Sequence, residues 1–136
     1  MRGREQAHLL LRMAQQDLYI MEAHVADMKL IDEMWGFHAQ QAVEKMLKAM
    51  LTDRGVEYPF THRLALLADL VRESRLDLPE RFEPLCSLTP YAAEFRYSPM
   101  VATAAAPPLD RAVILALTRG LFSHAAAMTG FAPDRG

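Results

Sequence analysis

From Glu5 to Lys29 the chain contains neither glycine nor proline, and its apolar residues Leu10, Ala14, Leu18, Met21, Val25 and Met28 recur at steps of three or four. Steps of that size return to one side of an α-helix and scatter over both faces of a strand. This stretch therefore reads as one amphipathic helix. The same period continues downstream. Ala39, Val43, Met46 and Met50, with Ala42, Leu47 and Leu51 beside them, give a second helix a broad apolar face. Asp32 is its expected cap, and Gly55 behind Arg54 its expected stop. Tyr58-Pro59-Phe60 reads as extended, because a residue before proline avoids the α region. Thr61 then caps a third helix carrying Leu64, Leu67, Leu70 and Val71. Pro79 suits the first turn of a fourth, read as Phe82, Leu85, Leu88, Ala92 and Phe95, which Pro90 should kink or split. The prolines make Arg96 to Pro108 a loop, with a turn of helix allowed at Ala104 to Ala106. Pro107-Pro108 opens the last helix, with Leu109, Val113, Ala116, Leu117 and Leu121 as its stripe and Gly130 and Pro133 at its end. No segment sustains a two-residue alternation, and no Asn-Gly or Asp-Gly hairpin signal occurs. The expectation is an all-α, up-and-down bundle of four to five helices over residues 1–130, with a frayed tail at 131–136.

With 51% apolar and 24% charged residues among 136, the chain has the material for one buried core and is not a disordered polypeptide. A net charge of -2 lacks the global basic footprint of a strong nucleic-acid binder, so any anion site must be local. The single cysteine, Cys86, cannot by itself form an internal disulfide or a structural zinc site. It is expected as a core thiol, and the nine methionines as core filler or a sticky dimer face. There is no uninterrupted apolar run of 18 residues and no signal-peptide pattern after Met1, so a cytoplasmic protein without a membrane helix is expected. His24 and Asp27 are spaced i,i+3, but no second pair with metal-ligand spacing accompanies them, so no metal is expected. Nor is a cofactor, since no Walker loop, Gly-rich dinucleotide turn or Ser/His/Asp set is present.

The most informative stretch runs from Gly36 to Ala49. At 100° per residue, His38, Gln41, Lys45 and Lys48 fall along one polar stripe beside the apolar face. One reading is a phosphate or nucleotide groove, with the lysines supplying charge and Gln41 directional bonds. The other is a solvated helix face, with Glu44 and Lys48 as an ordinary i,i+4 pair.

The stretch "GFHAQQAVEKMLKAML" followed by "RGVEYPFTHRLALL" resembles the HEPN domain of bacteria and archaea. "LLRMAQQDL" is similar to that family's first helix, and "YAAEFRYSP" to its Tyr-x4-Arg-Tyr-Pro element before the last helix. Ser98 departs from the pattern by separating Tyr97 from Pro99. The resemblance implies a helical bundle that commonly dimerises and often acts with a small nucleotidyltransferase, as in toxin–antitoxin pairs. Thr61-His62 resembles the family's Thr-His at the third helix, as a groove pair or as a cap followed by an exposed His, and Arg96 is expected to bridge Glu94, meet a phosphate or brace the loop with Tyr97. Many members are metal-independent RNases whose Arg-x4–6-His signature converges across the dimer.

Arg119 and His124 match that spacing. In one straight helix, however, five residues turn the two side chains about 140° apart, so only a dimer or a distortion at Gly120 would bring them together. The expectation is therefore a cytoplasmic homodimer that binds rather than catalyses. Its ligand site is His38, Gln41, Lys45, Lys48 and Arg96, and its partner a nucleotide or a nucleotidyltransferase. The alternatives are an RNase acting on RNA through Arg119 and His124, and a purely structural dimer module.

Overall fold

The computed structural model describes residues 2–92 and 109–133. Among the described residues there are four α-helices, α1 (Arg2–Ala23), α2 (Asp32–Asp53), α3 (Leu64–Glu73) and α4 (Arg111–Thr129), with a 3₁₀ helix over Glu80–Tyr91 between α3 and α4. Among the described residues there is no strand. The all-α bundle expected from the periodicity is what forms. Arg96 and the rest of the expected loop, the alanine run, Phe95 and residues 134–136 lie outside the described residues.

The hairpin of α1 and α2 is the backbone of the bundle. The two helices run antiparallel, with Arg4 paired to Asp53 at one end and the Trp35 indole donating to the Met21 carbonyl near the other. A Cβ on Gly3 would lie 2.5 Å from the Thr52 carbonyl oxygen, so the helices approach closely where α1 begins. Leu11, Ala14, Leu18 and Met21 from α1 meet Trp35, Val43, Met46 and Met50 from α2, all buried. α4 packs on both helices, parallel to α2: Arg111 at its start reaches Asp32, and the carbonyl of Thr129 at its end takes a hydrogen bond from His8.

The helix ends depart from the sequence reading in instructive ways. α1 stops at Ala23 instead of Lys29, which leaves Met28 92% exposed. Its Met21 carbonyl takes the Trp35 indole, and carbonyls of the connection that follows it are satisfied from afar. Beyond the Trp35 indole, the Arg111 guanidinium donates to the carbonyls of His24, Asp27 and Leu30 and to the Asp32 carboxylate. Asp32 is accordingly not the cap of α2. Ile31 occupies that position, and the Asp32 carboxylate accepts from the Leu109 amide and from Arg111. At the other end the reading holds. Gly55 adopts a left-handed φ of 70°, its amide bonds Thr52 and that of Val56 bonds Leu51, a Schellman closure. α3 begins at Leu64, with Arg63 at the cap position. Thr61 instead closes a small turn, accepting from the Arg63 amide, while the Leu64 amide is taken by the Thr89 hydroxyl of the 3₁₀ helix.

The expected fourth α-helix is a 3₁₀ helix. Phe82, Leu85 and Leu88 are all buried at steps of three, which stay on one side at three residues per turn and drift at 3.6. Pro84 and Pro90 inside it lack the amide that an α-helical ladder needs. Its far end seats Tyr91 against α2. A Cβ on Gly36 would lie 2.5 Å from the Tyr91 ring, so the ring rests on bare helix backbone. Burial, followed by the nearby Asp32 and Glu33 charges, pushes the Tyr91 phenol above its ordinary value.

α4 is rotated from its expected stripe. Val113 is 52% exposed, and the buried residues are Leu115, Thr118, Leu121, Phe122, Ala125, Ala126 and Thr129. By length and composition this helix suffices to cross a membrane, although no uninterrupted run of 18 apolar residues exists; here its apolar face is spent on the core. Asp110 caps its start through the Val113 amide. Gly130, at φ 71°, ends it as expected. The tail reading is corrected at Phe131, which is 7% exposed and packs edge-on against Phe122 and His8.

Candidate functional site

The polar stripe of α2 lies between α1, which supplies Asp17, and the Tyr58–Arg63 connection, which supplies His62. The side chains of the stripe are mostly buried. Lys45 and Lys48 are 20% and 14% exposed. Each is held by a carboxylate that is nearly buried, and the two carboxylates organise the whole site.

Asp17, on the inward side of α1, accepts from Lys45 Nζ at 2.6 Å and from His38 Nδ1 at 3.0 Å. Glu44, on α2 itself, accepts from Lys48 Nζ at 3.0 Å, from Gln40 Nε2 at 2.9 Å and from His62 Nδ1 at 2.7 Å. Gln40 is fully buried and also donates to the His62 carbonyl, which ties the connection to α2. Gln41 joins the array by donating to Gln40 Oε1 at 2.8 Å. The Lys48 ammonium lies over the Tyr58 ring, 5.6 Å from its centroid. Beyond Tyr58, toward the start of α1, opens a cleft of about 460 Å³ also lined by Gly3, Gln6 and Thr52.

An ionised carboxylate is acceptor-only, so both histidines must carry their proton on Nδ1 when neutral. Each Nε2 of a neutral ring is then an acceptor, so the N–H groups available to an anion are those of the lysines. Each ammonium has three N–H groups, of which its carboxylate takes one. The array is therefore oriented as well as neutralised. Glu44 shows how firmly: burial by itself would push its carboxyl up, but the hydrogen bonds from Gln40, His62 and Lys48 and the Lys48 charge outweigh it and hold the group below the ordinary carboxylate range.

His38, Gln41, Lys45 and Lys48 thus share one face of α2, with His62 beside them. Arg96, the fifth expected residue, lies outside the described residues. Sequence reading missed Asp17 and Gln40 and gave Glu44 only a helix-surface role. The one available signal was that Gln40 and Glu44 share the α2 flank nearest His62.

Arg119 and His124 part company within the chain. Arg119 is exposed and pairs with Glu22 on α1, Nε to Oε2 at 3.1 Å. His124 is largely buried and its Nε2 bonds the Asp77 carbonyl at 2.6 Å, beside the Phe82 ring. Gly120 does not distort α4; it gives room to the Phe82 ring, which a Cβ there would meet at 3.0 Å. Cys86 is half-buried, and burial, then the Glu83 charge, pushes its thiol up to about 11, which makes it a poor nucleophile. His24 and Asp27 bond each other, and among the described residues no cluster of three or more His, Cys, Asp or Glu is placed to hold a metal.

The family model for the HEPN domain matches residues 7–114. No curated protein and no solved structure matches the chain.

Proposed function

The chain belongs to the HEPN family, and from that premise we propose that it is a homodimeric binding module whose α2 groove takes the phosphate of a nucleotide, free or presented by a nucleotidyltransferase partner in the cytoplasm. The observation that carries this reading is the convergence of Lys45, Lys48, His38 and His62 on one face, each fixed by a carboxylate from beneath. A helix face that only needed solvation would leave long lysines mobile in water. Here their stems are packed and their remaining N–H groups are pre-oriented, which lowers the entropic cost of taking an oxyanion. With Asp17 and Glu44 cancelling the two ammonium charges, the groove is near neutral at neutral pH. Its affinity then rests on directed hydrogen bonds and responds weakly to salt.

The apolar surface for self-association is on α1. Ala125 and Ala126 of α4 are consumed by the core, whereas Leu9 and Met13 stand 57% and 56% exposed one turn apart. Light scattering at micromolar concentration is expected to give a dimer mass, and a monomer throughout that range removes this part of the reading.

Titration calorimetry with ADP tests the groove. Lys45→Gln and Lys48→Gln should each weaken binding by about 1.5–3 kcal/mol, the loss of one charge-assisted contact, while Arg54→Gln on the exposed end of α2 should not. Equal affinity in all four proteins, or no binding to the unaltered chain, overturns the assignment.

A further inference from the structure

Phe60 is 93% exposed, more than any other large apolar side chain among the described residues. It is not loosely placed. Pro59 before it fixes an extended approach, and the Thr61 hydroxyl closes the turn after it. Its ring meets the His62 imidazole edge-on, with centroids 5.7 Å apart and planes at 70°. His62 bonds Glu44, and Glu44 holds Lys48. An aromatic face, an imidazole and an ammonium therefore follow one another from the connection onto α2.

A phenyl ring has no polar atom with which to hydrogen-bond a phosphate; it offers an apolar π face on which a flat ring can stack. A nucleotide carries its groups in the matching order: a flat base, a ribose with hydroxyls, then phosphate. We infer that Phe60 is the base-stacking residue of this groove, so that its ligand is a phosphate ester bearing an aromatic base. The inference rests on the phosphate reading above and adds what that reading lacks, a means of telling a nucleotide from any other phosphate. Because the ring donates and accepts no hydrogen bond, it selects for the presence of a base and not among bases.

Calorimetry with two probes separates the contributions: ADP, and pyrophosphate, which has the phosphates without base or ribose. Phe60 lies on the surface, so Phe60→Ala should fold, which circular dichroism verifies. Phe60→Ala is expected to weaken ADP roughly 10- to 100-fold, to leave pyrophosphate unchanged, and to be reversed for ADP by Phe60→Trp. Unchanged ADP affinity in Phe60→Ala overturns the stacking role while leaving the phosphate reading intact. Equal losses of ADP and pyrophosphate also overturn it, since the ring would then only prop the groove. If neither probe binds the unaltered chain, both readings fall. If Phe60→Ala leaves ADP affinity intact but turns a dimer into a monomer, the ring is a self-association residue, and the inference is overturned in favour of that role.

Discussion

Replacing Glu44 by glutamine keeps the shape of the side chain and removes its charge, which isolates what the carboxylate contributes. In the native protein its two oxygens receive Lys48, Gln40 and His62. A glutamine keeps one accepting oxygen and sets an NH₂ where the other stood, so a donor would face a donor. Breaking a fully buried ion pair from one side costs about 3–5 kcal/mol, and a charged hydrogen bond contributes about 1.5–3. Lys48 and His62 retain 14% and 23% exposure, so water recovers part of what they lose. The expected loss at pH 7 is about 2–4 kcal/mol, read from urea unfolding. The dependence on pH gives a second, independent test. Burial, outweighed by the bonds from Gln40, His62 and Lys48, leaves the folded carboxyl titrating below its unfolded value of 4.5. Its contribution is then complete above that value and is lost as pH falls through the lower, folded one. The native and Glu44→Gln proteins should converge in acid, because a protonated Glu44 carries no more charge than the glutamine. A difference under about 0.5 kcal/mol at pH 7, or one that persists undiminished down to about pH 3, would refute the assignment of Glu44 as the organising charge.

Two further outcomes follow from the packing. Gly36→Ala should lose about 1–3 kcal/mol by driving a Cβ into the Tyr91 ring, despite alanine's better helix propensity, and Tyr91→Ala in the same chain should relieve the loss; a double-mutant cycle in urea with additive effects would count against the contact. Arg111→Lys, which cannot fork across three carbonyls and a carboxylate, should cost about 2–3 kcal/mol and lower the thermal midpoint by several degrees; an unchanged midpoint would show that the α1–α2 connection does not depend on it.

What could be read along the chain is what helices encode locally. α2 and its polar stripe were legible because all the relevant residues lie within one element, where spacing gives direction. The partners were not. Asp17 lies 21 residues from His38 and 28 from Lys45, and His62 lies 18 from Glu44, so their meeting depends on the antiparallel register of α1 and on the path of the connection. The same holds for the end of α1. No glycine or proline marks it, because its Met21 carbonyl is closed by Trp35 and the carbonyls just beyond it by Arg111, 87 residues past His24. The 3₁₀ helix was half legible. Phe82, Leu85 and Leu88 fit one face of either helix over so short a stretch, and only the proline positions decide between them. Phe131 defeated the tail reading because a lone aromatic after a helix-ending glycine carries no period. The rotation of α4 has a similar origin: apolar residues ring so much of that helix that its sequence alone does not choose which side faces inward.

The 3₁₀ helix also sets a rule for changes in chain length. At about 2.0 Å per residue, the nine steps from Phe82, against Gly120 in α4, to Tyr91, against Gly36 in α2, reach about 18 Å, a span that an α-helix would need about three more residues to cover. With three residues to the turn, adding or removing one residue swings everything beyond it by a third of a revolution. Phe82, Leu85 and Leu88 could then no longer share the core with Tyr91 on its glycine seat. Only changes in multiples of three keep the facing, and each of those moves the far end by about 6 Å, more than a side chain can stretch to recover. This connector therefore tolerates substitution on its exposed edges far better than insertion or deletion, and relatives of this bundle that keep Gly36 and Gly120 in contact with it should keep its length as well.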